Sequence, residues 1–207
     1  MKRIVSILMV VSLLLGSVCL TGCKDEGQKI IVALDSSAAP ITVENFLSLV
    51  DAGFYDGLTF HRIIPDFMVQ GGDPKGNGTG SSANTIKGEF AANGVNNPLK
   101  HERGVVSMAR SNSMNSASCQ FFICHQDAPH LDGQYAAFGF VVEGIEVVDD
   151  LCDYVNENPS VLKDYNGGIY AKAQPIINYI KRVDYTPEGE LAEGNYVFVE
   201  ISVTVVP

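Results

Sequence analysis

Arg62 and Gln70 stand on either side of an apolar run in the stretch from Phe60 to Pro74, FHRIIPDFMVQGGDP, and no other residues of this chain are so well suited by type and spacing to do chemistry. A guanidinium stays protonated at physiological pH and offers a rigid fork of donors, whereas an amide donates and accepts without titrating. Phe67 and Met68 lie between them, and residues 119–123, CQFFI, add a second amide, Gln120, and a second ring, Phe122. Such a set orients and polarises a neutral group beside an apolar wall. It lacks the base–nucleophile couple that acid–base or covalent catalysis requires.

Other chemistries fare worse. His61, His101, His125, His130 and the cysteines show no CxxC, HxxxH or HExxH spacing, so no metal site is expected. Cys124 and His125 are adjacent on a strand-like run and would face opposite ways, which rules them out as a hydrolytic couple. His61 reads as a structural hydrogen-bonding residue. The glycine-dense segment 71–80, GGDPKGNGTG, is followed by neither G-K-[ST] nor a helix start; it reads as a groove-flanking loop, not a phosphate cradle.

The elements that must position these groups are short and mostly strand-like. Residues 29–34 carry β-branched Ile30, Ile31 and Val32; residues 104–109, 120–124 and 136–142 make further strands. Thr42 is a good N-cap for a helix with Phe46, Leu47, Leu49 and Val50 at helical spacing, ending at Gly53, and residues 145–151 suggest a second. Many short strands with two helices imply a closed or nearly closed β structure in one domain.

At the N-terminus, Met1, Lys2 and Arg3 precede an apolar run from Ile4 to Leu20 and then Leu20-Thr21-Gly22-Cys23. This is the order of a secretory signal, and the last four residues resemble a bacterial lipobox, which implies cleavage after Gly22 and a lipid on Cys23. The expected organisation is a signal peptide at 1–22, a tether at 23–28, a main domain at 29–183 and a C-terminal β extension at 184–207. With 14 basic and 24 acidic residues, for a net charge of −10, nucleic acid is not an expected partner. Of five cysteines, Cys19 is expected to leave with the signal and Cys23 to carry the lipid, a plain cleaved signal being the rival reading. Cys119, Cys124 and Cys152 remain, an odd set read as buried free thiols.

Singly, Arg62 or the Phe67-Met68 pair would pass for surface or core residues. In combination, FHRIIP-x-FM-x-QGGDP, the downstream Gly-Thr-Gly, LKH-x-x-G-x-x-SMA, QFFI and LDG resemble the cyclophilin family of peptidyl-prolyl cis/trans isomerases, in the family's order and over residues 30–183. The resemblance implies an eight-stranded antiparallel barrel capped by two helices, here with an extra C-terminal strand or hairpin. It implies catalytic roles for Arg62 and Gln70 and substrate contacts from Phe67, Met68, Ala109, Arg110, Gln120, Phe122, His130, Leu131 and Tyr135. Arg110 with the loop after it resembles the bacterial branch, since the familiar eukaryotic text has Ala-Asn at 109–110. His130 stands where many eukaryotic members have a cyclosporin-binding tryptophan, and Tyr135 where they have a histidine, so tight cyclosporin binding is not implied.

The function implied is isomerisation of X-Pro bonds in exported, unfolded polypeptides, without a cofactor, by a monomeric lipoprotein outside the cytoplasmic membrane, at the cell surface or in the periplasm. A lipid-anchored peptide-binding module using the same groove is the alternative, and Arg62, which binding alone does not demand, discriminates against it. Residues 153–174 form a longer polar insertion than bacterial relatives usually show, and residues 184–207, rich in strand formers after a turn, predict an added hairpin or edge strand.

Overall fold

A computed structural model of the chain describes residues 27–205; the signal peptide, Cys23 and most of the tether expected from the sequence lie outside the described residues. Eight strands form: β1 (Gln28–Asp35), β2 (Phe60–Ile64), β3 (Met68–Gly71), β4 (Val105–Met108), β5 (Phe121–Cys124), β6 (Ala137–Glu143), β7 (Ile176–Arg182) and β8 (Tyr196–Thr204). They make one antiparallel sheet in the order β2-β3-β5-β4-β6-β1-β8-β7. The ends of that order nearly meet. Thr59 bridges Ile176, the Phe60 N–H donates to the Pro175 carbonyl at 2.9 Å and the Ile177 N–H to that of Leu58 at 2.8 Å. The sheet therefore curls into an almost closed barrel, which leaves few backbone groups unpaired at an edge.

The C-terminal extension does fold back as a hairpin with β7, described as far as residue 205, but β8 is not an edge. Its other side pairs with β1 from Gln28↔Val203 to Asp35↔Tyr196, so it is one of the eight strands and sits between β1 and β7. The reason is apolar alternation: Val199, Ile201 and Val203 are buried in the barrel core.

The first helix, α1 (Pro40–Asp51), buries Val43, Phe46, Leu47 and Val50 against the barrel. It starts two residues before the N-cap that the sequence suggests at Thr42, because Pro40 is preset for the first helical position. Its N-cap, Ala39, offers no side-chain acceptor. The buried Glu89 supplies one from a distant loop, accepting from the N–H groups of Ile41 (3.1 Å) and Thr42 (2.8 Å) and from Thr42 Oγ1 (2.7 Å). Glu89→Ala strands three donors, the two of Thr42 buried, and is expected to cost about 2 kcal/mol, a Tm loss of roughly 4–8 °C in a calorimetric scan. The second helix, α2 (Glu146–Glu157), runs past the end at 151 that the sequence suggests, because Cys152 and Val155 continue its buried face.

Strand alternation divides the apolar residues in two. Ile63, Val69, Val106 and Ile123 point into the barrel, with Phe46, Phe121 and Phe138 in the same core. Met68, Val105, Phe122, Cys124 and Leu131 form a smaller cluster on the outer face, with Phe67 and Tyr135 packed against it. Cys119 belongs to the first group and Cys124 to the second, and both are free thiols, as is Cys152.

Candidate active site

Cross-strand register builds the site. Arg62 on β2 pairs with Gln70 on β3, Gln70 with Phe122 on β5, and Phe122 with Ser107 on β4, giving one row across four strands. The neighbouring row, Ile63, Val69, Ile123 and Val106, is the inward one. A slip of one residue would exchange the two and bury the guanidinium.

The outward row and its neighbours enclose a cavity of ≈ 220 Å³ lined by Arg62, Phe67, Met68, Gln70, Ala109, Arg110, Phe122, Leu131 and Tyr135. That is below the roughly 300 Å³ at which drug-sized sites begin, and suits one small ring with its flanking peptide groups. Met68, Phe122 and Leu131 are buried and form the floor. The turn between β2 and β3 presents Phe67. Its Asp66 is the only non-glycine among the described residues with positive φ, +62°, and the Asp66 N–H donates to His125 Nδ1 at 2.8 Å. His125 Nε2 lies 3.1 Å from Asp149 Oδ1, so this histidine braces the turn. Arg110 lies over the Tyr135 ring at 4.6 Å and donates through Nε to the Gln134 carbonyl, forming a rim.

Two residues singled out in the sequence lie outside this lining. His130 packs outside the rim, its ring 5.4 Å from that of Phe67. Gln120 lines an adjacent cleft with Gly80, Ala109 and Arg110.

A chain of hydrogen bonds fixes the polar groups. Arg62 Nη1 donates to Gln70 Oε1 (3.2 Å), Gln70 Nε2 to Gln120 Oε1 (2.9 Å), and Gln120 Nε2 to the Gly80 carbonyl (2.8 Å). Because arginine only donates, it dictates which way each amide points. Half-burial lowers the Arg62 pKa, with the Asp164 carboxylate opposing; a guanidinium starts so high that the group remains charged. Gly80 is held by the glycine-rich loop, which is organised on the buried Asp73. That carboxylate accepts from the N–H groups of Lys75 (2.8 Å), Asn77 (3.0 Å) and Gly78 (2.5 Å). The amides are already committed to a carboxylate, so the loop cannot cradle a phosphate.

Beneath Phe122 lies an array that the sequence does not reveal. His101 stacks on the Phe122 ring, its Nδ1 3.0 Å from Asp132 Oδ1 and its Nε2 3.0 Å from Ser107 Oγ. The LKH and LDG text contains His101 and Asp132, but nothing in their spacing shows that they touch. Ser107 is fully buried, so this Asp–His–Ser set braces the ring and is no nucleophile. His61 departs from the hydrogen-bonding role expected of it: it is buried, and neither ring nitrogen has a partner among the described residues.

Burial lowers the pKa of both His61 and His101, with Asp73 and Asp132 respectively opposing. The unfolded chain, with histidines near 6.5, then binds more protons than the folded one. Stability is therefore full above about pH 6.5 and declines as pH falls below it. Urea midpoints should be lower at pH 5.5 than at pH 7.5, and the gap should narrow in His101→Asn; equal midpoints would refute the linkage.

Comparison with known proteins follows the same lines. The profile of the family described as cyclophilin type peptidyl-prolyl cis-trans isomerase/CLD matches residues 21–166. Peptidyl-prolyl cis-trans isomerase B of Bacillus subtilis is 45% identical over 140 residues, which cover 68% of this chain and 91% of its own. A peptidyl-prolyl cis-trans isomerase of Helicobacter pylori is 47% identical over 115 residues, 55% of this chain and 68% of its own. The crystal structure of a Cryptosporidium parvum cyclophilin type isomerase, in the presence of the dipeptide Ala-Pro, aligns with a TM-score of 0.60 at 28% identity, covering 73% of this chain and 96% of that one. Among the described residues, no group of His, Cys, Asp or Glu could hold a metal ion and no helix is long and apolar enough to cross a membrane.

Proposed function

This chain belongs to the cyclophilin-type peptidyl-prolyl cis-trans isomerases, and on that premise we propose that Arg62, fixed by Gln70 above the apolar cavity, drives X-Pro isomerisation in exported, unfolded polypeptides. The barrier to rotation, about 18–20 kcal/mol, comes from conjugation of the prolyl nitrogen with its carbonyl. As the bond twists, that nitrogen regains a lone pair, and a donor placed against it stabilises the twisted state more than either planar one. Arg62 Nη1 is committed to Gln70, while Nη2 has no partner among the described residues and is the arm available to the substrate.

Phe67, Met68, Phe122 and Leu131 seat the pyrrolidine ring, with Tyr135 as the wall beside it. Ala109, Arg110 and Gln120 hold the backbone before the proline, while His130 widens the apolar rim behind Phe67. The dipeptide present with the Cryptosporidium relative, Ala-Pro, is the size of ligand this cavity suits. The observation that carries the reading is the Arg62–Gln70–Gln120 chain above that floor.

Work outside the cytoplasmic membrane rests on the signal-like Met1–Leu20 run and the Leu-Thr-Gly-Cys text ending at Cys23. Uncatalysed isomerisation takes tens of seconds or more, slow enough to limit folding of an exported chain. A protease-coupled assay on prolyl tetrapeptides tests the activity, and no acceleration over solvent refutes it. Mass spectrometry of the native N-terminus tests the anchor, and an unmodified Cys23 overturns it.

A further inference from the structure

Arg62 is held from a second side. Residues 161–170, within the polar insertion, form a small two-stranded lobe: Leu162 bridges Ile169, the Lys163 N–H donates to the Gly168 carbonyl at 2.6 Å, and the Tyr170 N–H to that of Val161 at 3.0 Å. Asp164 Oδ1 stiffens its tip by accepting from the N–H groups of Asn166 (2.9 Å) and Gly168 (3.3 Å). The lobe lies along the outer edge of β2, where the Ile63 N–H donates to the Gly167 carbonyl (2.8 Å) and the Ile169 N–H to that of His61 (3.0 Å). Between these two anchors Arg62 Nε donates to the Asn166 carbonyl at 2.8 Å.

We propose that the 161–170 lobe is a positioning element for the isomerisation, its Asn166 carbonyl fixing Arg62 Nε so that Nη2 is the arm directed at the substrate. The guanidinium is planar, so two fixed nitrogens determine where the third lies. Gln70 Oε1 (3.2 Å) and the Met68 sulfur (3.7 Å) both meet Nη1 and leave the plane free to swing about that one nitrogen; the Asn166 carbonyl removes the swing. A main-chain acceptor on a stiffened turn holds its position better than a side chain, which keeps rotamer freedom. The proposal rests on Arg62 acting at the prolyl nitrogen.

Gly167 provides the test. Its φ is +81°, and a Cβ there would lie 2.5 Å from the Ile63 carbonyl oxygen and 2.5 Å from Ile64 Cγ1, so Gly167→Ala must push the lobe off β2. In the full-length protein in detergent, this variant is expected to lose roughly tenfold in kcat/KM on a prolyl tetrapeptide, mainly in kcat, since misplacing a catalytic group by about 1 Å can cost up to 10²-fold. Added to Arg62→Ala it should cost nothing further, which a general loosening of the fold would not reproduce. The Arg62 Nε–H resonance, expected to be shifted and slow to exchange in the wild type, should move toward the free-arginine position.

Should Gly167→Ala fail to fold, Asp164→Ala on the exposed tip must show the same coupling to Arg62 at smaller amplitude. Equal fractional losses with and without Arg62, or wild-type turnover despite a released Nε–H, overturn the lobe's role. Full activity in Arg62→Ala alone would instead overturn the assignment of Arg62.

Discussion

Replacing Arg62 by alanine is expected to lower kcat/KM about 10²–10³-fold while the barrel stays folded, because it removes the charged donor that Gln70 fixes at the ring cavity. That loss corresponds to roughly 3–4 kcal/mol of transition-state stabilisation. Arg62→Lys should fall between, since an ammonium keeps the charge but cannot hold Gln70 and the Asn166 carbonyl while also offering a third arm in the same plane. Most of the loss should appear in kcat, since the apolar floor of Met68, Phe122 and Leu131 still binds the ring. Unchanged isomerisation by Arg62→Ala would sink the assignment, and a loss confined to KM would make Arg62 a binding group only.

The second large effect concerns folding. A chain ending at Val183 lacks β8 and should not form the barrel, although the matched family profile ends at residue 166, well before that strand. Without β8 the edge of β1 that faces it is unpaired, and β7 is left with its bonds to Gly57, Leu58 and Thr59 and its packing on α1. Burial of Val199, Ile201 and Val203 is lost with it. At about 1.5–3 kcal/mol per buried aliphatic side chain, these three alone approach the whole stability of a typical domain, about 5–15 kcal/mol. The truncated protein is expected to be aggregated or molten, without near-UV dichroism or dispersed amide resonances. If it melts cooperatively near the wild-type temperature, β8 is an accessory and not a wall of the barrel.

Local pattern and global pairing divide the information here. The alternation of FHRII and FMVQG, the helical spacing from Phe46 to Val50 and the glycine turns were legible because each depends on residues a few positions apart. Of the nine singled-out residues that line one cavity, Arg62, Met68, Gln70 and Phe122 were legible for the same reason, since they fall at strand positions whose facing is set by a period of two; the other five sit in turns and connections.

Local text thus carries the kind of fold, the family motifs and the chemistry of the site's groups: a permanent donor, two amides and an apolar floor. Tertiary structure alone decided the rest, because those features depend on contacts between residues far apart in the chain. Glu89 caps α1 from a loop 47 residues away, β8 inserts beside β1 and not at an edge, and Asn166 meets Arg62 across 104 positions. Each was invisible beforehand because a main-chain carbonyl, a cap borrowed from elsewhere and a strand's choice of neighbour leave no mark in local composition. Barrel closure selected them, since pairing strand edges and satisfying buried backbone donors is a condition on the whole chain at once.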